Sequence, residues 1–275
     1  MINATDSNHT NYLLNKKSGI PIVLIHGVGL NYSIWEPQIN AFDNTVLAYD
    51  ILGHGKTPLQ KEDISFDDFS DQLLDLINEL NFEKIHLVGF SIGSLIARNF
   101  ASRFNDRLKS LTLLCSIYKR SNEQQKIVSD RFELAKKSKG LSKQALKRWF
   151  TDEYLEKNPD TYNKISSLLD ANDMNNFLKV YSLFVNHKDQ EDFSKIKVKT
   201  LVMTGEGDIG STPEMTKELS KVIENSKYII IPKGKHLCGI ECSDEVNREI
   251  KLHIDNAWIK KISDVHRWRV GRLWY

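Results

Sequence analysis

The chain has 275 residues, 40% of them hydrophobic and 27% charged, with a net charge of +2. This suits one large or two small folded domains, and the near-balanced charge excludes a general affinity for nucleic acid. No window approaches the roughly 18 to 20 apolar residues that span a bilayer, and three cysteines (Cys115, Cys238, Cys242) are too few for a disulfide framework.

In chain order, Met1 to Asp6 lacks the basic start and apolar core of a signal peptide, so a cytoplasmic location is expected. The polar stretch Asp6 to Asn11 gives little support for a strand pair. Ile22 to Ile25 reads as a buried strand, followed by the turn His26-Gly27-Val28-Gly29. Thr45 to Tyr49 is a second strand, followed by Asp50 and the turn Gly53-His54-Gly55, read as structural. Phe66 to Leu80 places Phe69, Leu73, Leu76, Ile77 and Leu80 at helical spacing, with Ser65 and Asp68 able to cap the start. Ile85 to Val88 is a third strand. It runs into Gly89-Phe90-Ser91-Ile92-Gly93 and a helix-like stretch from Ser94 to Ala101. Leu108 to Leu114 is a fourth. Such continuous β-branched and leucine runs suit a parallel sheet covered on both faces.

From about Ser116 the texture changes. Residues 117–195 are helical in pattern, rich in polar residues, and carry scattered aromatics. The rhythm then returns, with strands at Thr200 to Met203 and Lys227 to Ile231 and helices at Pro213 to Glu224 and Asp244 to about Asn256. The expected division is therefore 1–115 and 196–256 as one core, 116–195 as an inserted helical cap, and 257–275 as an extension. That extension carries Lys260, Lys261, Arg267, Arg269 and Arg272 with Trp258, Trp268 and Trp274. It reads as a helix packed on the chain itself or on a homodimer mate, or as a basic amphipathic contact with a membrane surface.

Strand, sharp turn with a central serine, then helix is the context that makes G-x-S-x-G a nucleophile elbow. A serine hydroxyl needs an adjacent base, and the base a carboxylate that orients it. Asp208 directly follows the strand ending at Met203, and His236 follows the strand ending at Ile231. Both fall at the strand-end edge that carries Ser91, in the order serine, acid, histidine. Glu206 is the second choice of acid, and Cys115 and Ser116 stand where another arrangement would put one. Of the other histidines, His86 is expected to be packed in its strand, and His9, His187, His253 and His266 to lie on the surface. The N–H groups of Val28 and Ile92 are the expected oxyanion donors, while His26 either shapes its turn or meets substrate. Cys238 and Cys242 read as small apolar residues.

With these motifs in this order and spacing over roughly 20–255, the chain resembles the α/β-hydrolase fold superfamily with a helical cap. Within it, Asp208-Ile209-Gly210-Ser211-Thr212-Pro213 and the Trp149-Phe150 region resemble the 3-oxoadipate enol-lactonase-like esterases and lactonases. The resemblance implies an α/β fold: a mostly parallel twisted sheet with helices on both faces and an inserted cap. It also implies a serine hydrolase for a small-molecule ester or lactone, needing no cofactor or metal. His26, Trp149, Phe150 and Leu237 are the candidate substrate-binding residues. Carbon–carbon bond hydrolysis and cofactor-free perhydrolysis use the same triad, and a ligand receptor or interaction module on the same fold is the non-enzymatic alternative. The chain departs from its relatives in having Leu52 where many carry an arginine, which leaves no cation there for a substrate carboxylate. Ser94 replaces a common glycine, and the His26-Gly27 pair favours a general ester or lactone hydrolase.

Overall fold

The computed structural model describes residues 1–137 and 142–255; the extension 257–275 lies outside the described residues. The strands are β1 (Ile2–Thr5), β2 (Asn11–Asn15), β3 (Ser18–Ile25), β4 (Asn44–Tyr49), β5 (Ile85–Phe90), β6 (Leu108–Leu114), β7 (Thr200–Gly205) and β8 (Ser226–Ile231). They form one sheet in the order β1-β2-β4-β3-β5-β6-β7-β8. Every pairing from β4 to β8 is parallel, while β1–β2 and β2–β4 are antiparallel.

The N-terminal hairpin that the polar stretch did not support is therefore present. That stretch is its turn: the Asp6 carboxylate accepts the N–H groups of Asn8 (3.0 Å) and Thr10 (2.6 Å). Short polar turn residues build such hydrogen-bonded loops, and the flanking strands are too brief to show a periodicity.

The helices are α1 (Glu36–Ala41), α2 (Phe66–Glu79), α3 (Ile92–Arg103), α4 (Asn122–Lys137), α5 (Ser142–Trp149), α6 (Asp152–Lys157), α7 (Pro159–Asp170), α8 (Met174–Val185), α9 (Pro213–Val222), α10 (Cys238–Glu241) and α11 (Ser243–Ile254). Alternate strand residues face opposite ways. Val23, Ile25, Leu87 and Leu111 pack with Leu73 of α2, Phe100 of α3 and Leu219 of α9. Ile22, Leu24, Val88 and Met203 pack with Ile39 of α1 and Ile250 of α11. Helices thus cover both faces.

In α2, the Ser65–Asp68 capping box closes the first turn, and Phe69, Leu73, Leu76 and Ile77 are fully buried. Each such side chain contributes about 1.5–3 kcal/mol, so packing rather than propensity holds this helix. No helix among the described residues is long and apolar enough to cross a membrane.

Helices α4 to α8 form an insert between β6 and β7, with a small core of Val128, Phe132 and Val185. Its two stems meet at Arg98 of α3, a fully buried arginine. Nη1 donates to the Ile117 carbonyl oxygen (2.8 Å) on the entering stem. Nη2 donates to Asp189 (2.6 Å) and Glu191 (2.8 Å) on the leaving one. Burial would push the Asp189 carboxyl up, but His187 and Arg98 outweigh it and hold it below the carboxylate range.

Two histidines differ from expectation. His253 lies on the inner side of α11, fully buried, and its Nε2–H donates to the Leu111 carbonyl oxygen (3.0 Å). His187 meets the Phe66 ring edge-on at 5.1 Å and stands beside Asp189 and Glu191. A polar helical neighbourhood in sequence does not reveal which side a residue turns inward. His86 is packed in β5 against Ser110 (2.7 Å), as expected.

Candidate active site

Ser91 stands between β5 and α3 with φ 55° and ψ −120°. A non-glycine residue held there costs about 1–3 kcal/mol. The strain is held by the Ser91 N–H on the Leu114 carbonyl oxygen (2.9 Å) and the Ser94 hydroxyl on the Ser91 carbonyl oxygen (2.6 Å). Ser94, a departure from the commoner glycine, therefore braces the turn. Gly93 permits the crossing: a β-carbon there would lie 2.6 Å from the His26 carbonyl oxygen and closer still to that of Ile25. The elbow thus sits directly against the end of β3.

His236 bridges the other two candidates. Its Nδ1–H donates to Asp208 Oδ2 (2.7 Å), which leaves Nε2 to face the Ser91 hydroxyl at 3.3 Å. The second distance is at the long end of the range, as in sites that tighten only on substrate. Asp208 is almost fully buried, and its Oδ1 accepts the N–H groups of Gly210 (2.8 Å) and Ser211 (3.0 Å). Burial would raise its pKa, but His236 and those two donors outweigh it and hold the carboxyl below its ordinary value. Burial likewise works to lower the His236 pKa, and the Asp208 carboxylate outweighs it and holds the imidazole above its ordinary range. Asp208 is the acid in contact with His236; Glu206 is exposed and accepts the Lys233 N–H (3.1 Å).

The turn after β3 lies against this pair. A β-carbon on Gly27 would come within 3.3 Å of the Ser91 β-carbon, and the next residue, Val28, lines the same cavity as Ser91. Neither the Val28 nor the Ile92 N–H donates to a protein acceptor among the described residues. Two histidines brace the turn from behind. His26 Nε2 accepts the Ile51 N–H (3.1 Å) and Nδ1–H donates to the Gly27 carbonyl oxygen (2.8 Å). His54 Nε2 accepts the Gly29 N–H (2.8 Å). Burial lowers the first to about 4, and burial with the neighbouring His26 lowers the second to about 3. Both therefore stay neutral and keep an acceptor nitrogen.

A cavity of about 370 Å³ opens over Ser91 and His236, roofed by the insert. That volume is in the range of small-molecule sites. Of the four side chains expected to meet substrate, Trp149 lines it, its ring 6.1 Å from that of His236. The other three lie elsewhere. His26 is spent on its turn, Phe150 is fully buried and stacked on Tyr154 at 5.2 Å, and Leu237 packs in the core with its N–H on the Trp149 carbonyl oxygen. Absent from the sequence reading, yet on the cavity wall, are Arg120, Arg131 and Arg148, beside Tyr181, one of the aromatics scattered through the insert.

Two groups of metal-ligand type occur among the described residues, Cys115–Asp208–His236 and His187–Asp189–Glu191. In the first, Asp208 and His236 are bonded to each other, and in the second both carboxylates hold Arg98.

The sequence profile of the alpha/beta hydrolase fold matches residues 20–241. The chain is 29% identical over 258 residues to the (E)-2-((N-methylformamido)methylene)succinate hydrolase of Acinetobacter baylyi, covering 92% of this chain and 95% of that protein. It is 25% identical over 243 residues to 3-oxoadipate enol-lactonase 1 of the same organism, covering 88% and 89%. Among solved structures, the enol-lactonase from Burkholderia xenovorans LB400 superposes with a TM-score of 0.83 at 24% identity, covering 90% of this chain and 96% of that one.

Proposed function

The chain belongs to the alpha/beta hydrolase fold family, and we propose that within it the protein is a serine hydrolase that cleaves a small carboxylic ester or lactone through an acyl-enzyme. The observation that carries the reading is His236 bridging Ser91 and Asp208 at 3.3 and 2.7 Å beneath a small-molecule cavity.

His236 Nε2 takes the proton of the Ser91 hydroxyl as its oxygen attacks the carbonyl carbon. The tetrahedral oxyanion is met by the N–H groups of Val28 and Ile92, each such donor being worth about 3–4 kcal/mol. Asp208 fixes the tautomer of His236 and stabilises the imidazolium that forms. The intermediate expels the alkoxide, which takes the proton from His236. Water then gives a proton to His236 and attacks the acyl carbon, and Ser91 leaves with that proton. The products are a carboxylic acid and an alcohol, joined in one molecule when the substrate is a lactone.

A second reading has support from the Acinetobacter relative whose named substrate carries an N-methylformamido group. The same steps cleave an acyl bond to nitrogen once the leaving nitrogen is protonated by His236.

The test is a pre-steady-state burst of nitrophenolate from 4-nitrophenyl acetate, with a matching acetyl mass increase on the protein. Ser91→Ala is expected to abolish both. A folded wild type that gives neither burst nor turnover on any short ester, lactone or amide refutes the reading.

A further inference from the structure

The arginine ion pairs among the described residues belong to Arg98, Arg103 and Arg248. The three arginines on the cavity wall have none. Arg120 precedes α4, Arg131 lies on α4 and Arg148 on α5; burial raises the pKa of Tyr181 of α8, and the charges of all three arginines work to lower it. Arg120 is clamped in place. Nη1 donates to the Phe184 and Val185 carbonyl oxygens at 3.1 Å each, the guanidinium lies 4.5 Å over the Phe184 ring, and Nη2 is buried without an acceptor. Arg148 Nη1 holds the Gln144 carbonyl oxygen (2.9 Å); burial and then the charge of Arg131 lower its pKa. Arg131 is half-buried and makes no hydrogen bond among the described residues.

The acids on this lining are Asp170 and Asp208. Asp208 is committed to His236, and Asp170 accepts the hydroxyls of Ser142 (3.4 Å) and Ser166 (3.5 Å). The Asp189 carboxylate acts on Arg120, but Arg131 and Arg148 have no ion pair among the described residues, and two neighbouring, partly buried cations carry a desolvation and repulsion cost that an anion in the cavity removes. The choice of residue points the same way. Every arginine of 116–195 lines the cavity, and none of the described lysines of that lysine-rich stretch does. Arginine presents the planar fork that matches a carboxylate; lysine is a point charge. The same wall includes the apolar side chains of Val28, Leu169 and Phe177.

We propose that Arg131 and Arg148, reinforced by the charge of Arg120, form an anion subsite in the active-site cavity, and that the substrate is an organic acid whose carboxylate docks there. The scissile carbonyl then reaches Ser91 across the apolar wall. The proposal rests on the serine-hydrolase reading for its catalytic half, but the subsite itself binds without turnover.

Two measurements keep these halves apart. The mono-4-nitrophenyl esters of succinate, glutarate and adipate are compared with the alkyl esters in which a methyl replaces the free carboxylate. The best acid ester is expected to exceed its alkyl partner in kcat/KM by about tenfold or more, the value of one charged hydrogen bond. Arg131→Gln and Arg148→Gln each collapse that ratio toward one, and Arg131→Lys restores part of it. Titration of glutarate or adipate into the full-length protein gives binding that Arg131→Gln weakens about tenfold. Ratios near one for all three lengths, or dicarboxylate binding unchanged in both glutamine variants, overturn the subsite. Dicarboxylate binding with no turnover of any ester would instead refute the hydrolase reading alone.

Discussion

Asp208→Asn tests the catalytic geometry most directly. Asp208 Oδ1 accepts two N–H groups, from Gly210 and Ser211, and Oδ2 faces His236 Nδ1. An asparagine oxygen has to take the Oδ1 place, because the opposite orientation sets an NH2 against two donors at about 1–3 kcal/mol for each unsatisfied group. The NH2 then points at His236 Nδ1, while Thr204 Oγ1, 3.2 Å from Oδ2, is available as its second acceptor. Nδ1 must now accept, so the proton moves to Nε2, and the face toward Ser91 no longer offers a base. The expected loss is about 10⁴-fold in kcat, near 5 kcal/mol, with the fold intact because both loop N–H bonds persist. The pH profile carries a sign as well. The carboxylate holds the His236 pKa up against burial, which lowers it. Its removal therefore moves the acid limb of kcat/KM to lower pH. Steady-state rates on 4-nitrophenyl acetate from pH 5 to 10, with near-ultraviolet circular dichroism, read both effects. A loss below about tenfold in a folded variant, or an unmoved acid limb, refutes the assignment.

Gly93→Ala forces a β-carbon against the His26 and Ile25 carbonyl oxygens, which belong to rigid backbone. A destabilisation of about 1–3 kcal/mol and a burst rate reduced about 10²-fold are expected in urea melts and stopped flow, and wild-type values for both would contradict the close approach. Arg98→Met leaves Asp189 and Glu191 without their cation and is expected to cost about 3–5 kcal/mol in urea unfolding; a cost below about 1 kcal/mol would show that the stems do not depend on this pair. Acid should destabilise the fold in a defined window. Mainly through burial, His26 and His86 are lowered to about 4 and His54 and His253 to about 3. Because their folded values lie below the ordinary 6.5, their stabilisation is complete above pH 6.5 and is lost as pH falls toward 4 and 3. Each proton taken up on unfolding steepens the fall by about 1.4 kcal/mol per pH unit. Urea midpoints that stay level from pH 7 to 4.5 would contradict this.

That Ser91, Asp208 and His236 meet was legible because each stands just beyond an apolar run. Ser91, Asp208 and His236 follow β5, β7 and β8, and parallel strands deliver their ends to one edge. The α2 boundaries were legible for a similarly local reason, the Ser65–Asp68 capping box. What required the structure was orientation. Phe150 and Trp149 are neighbours in sequence, yet one is buried in the core and the other faces the cavity. Arg131 and Arg148 lie on different helices, α4 packed on α8 through Val128, Phe132 and Val185 and α5 burying Leu146 in another cluster, and only the fold brings their charges together. The usable signal was compositional: a lysine-rich stretch that keeps a few arginines.

The clasp at Arg98 has a consequence for how this protein can be re-engineered. Since one guanidinium touches both Ile117 and Asp189, the two ends of the intervening chain stand only a few ångströms apart. A turn of a few residues bridges such a gap, and closing a short loop costs little entropy. The stretch can therefore be exchanged for one from another protein at a single junction, provided the replacement also fills the core places of Leu146, Phe150 and Ile165. Selectivity and reactivity are then separately transplantable, with Arg98 marking where to cut.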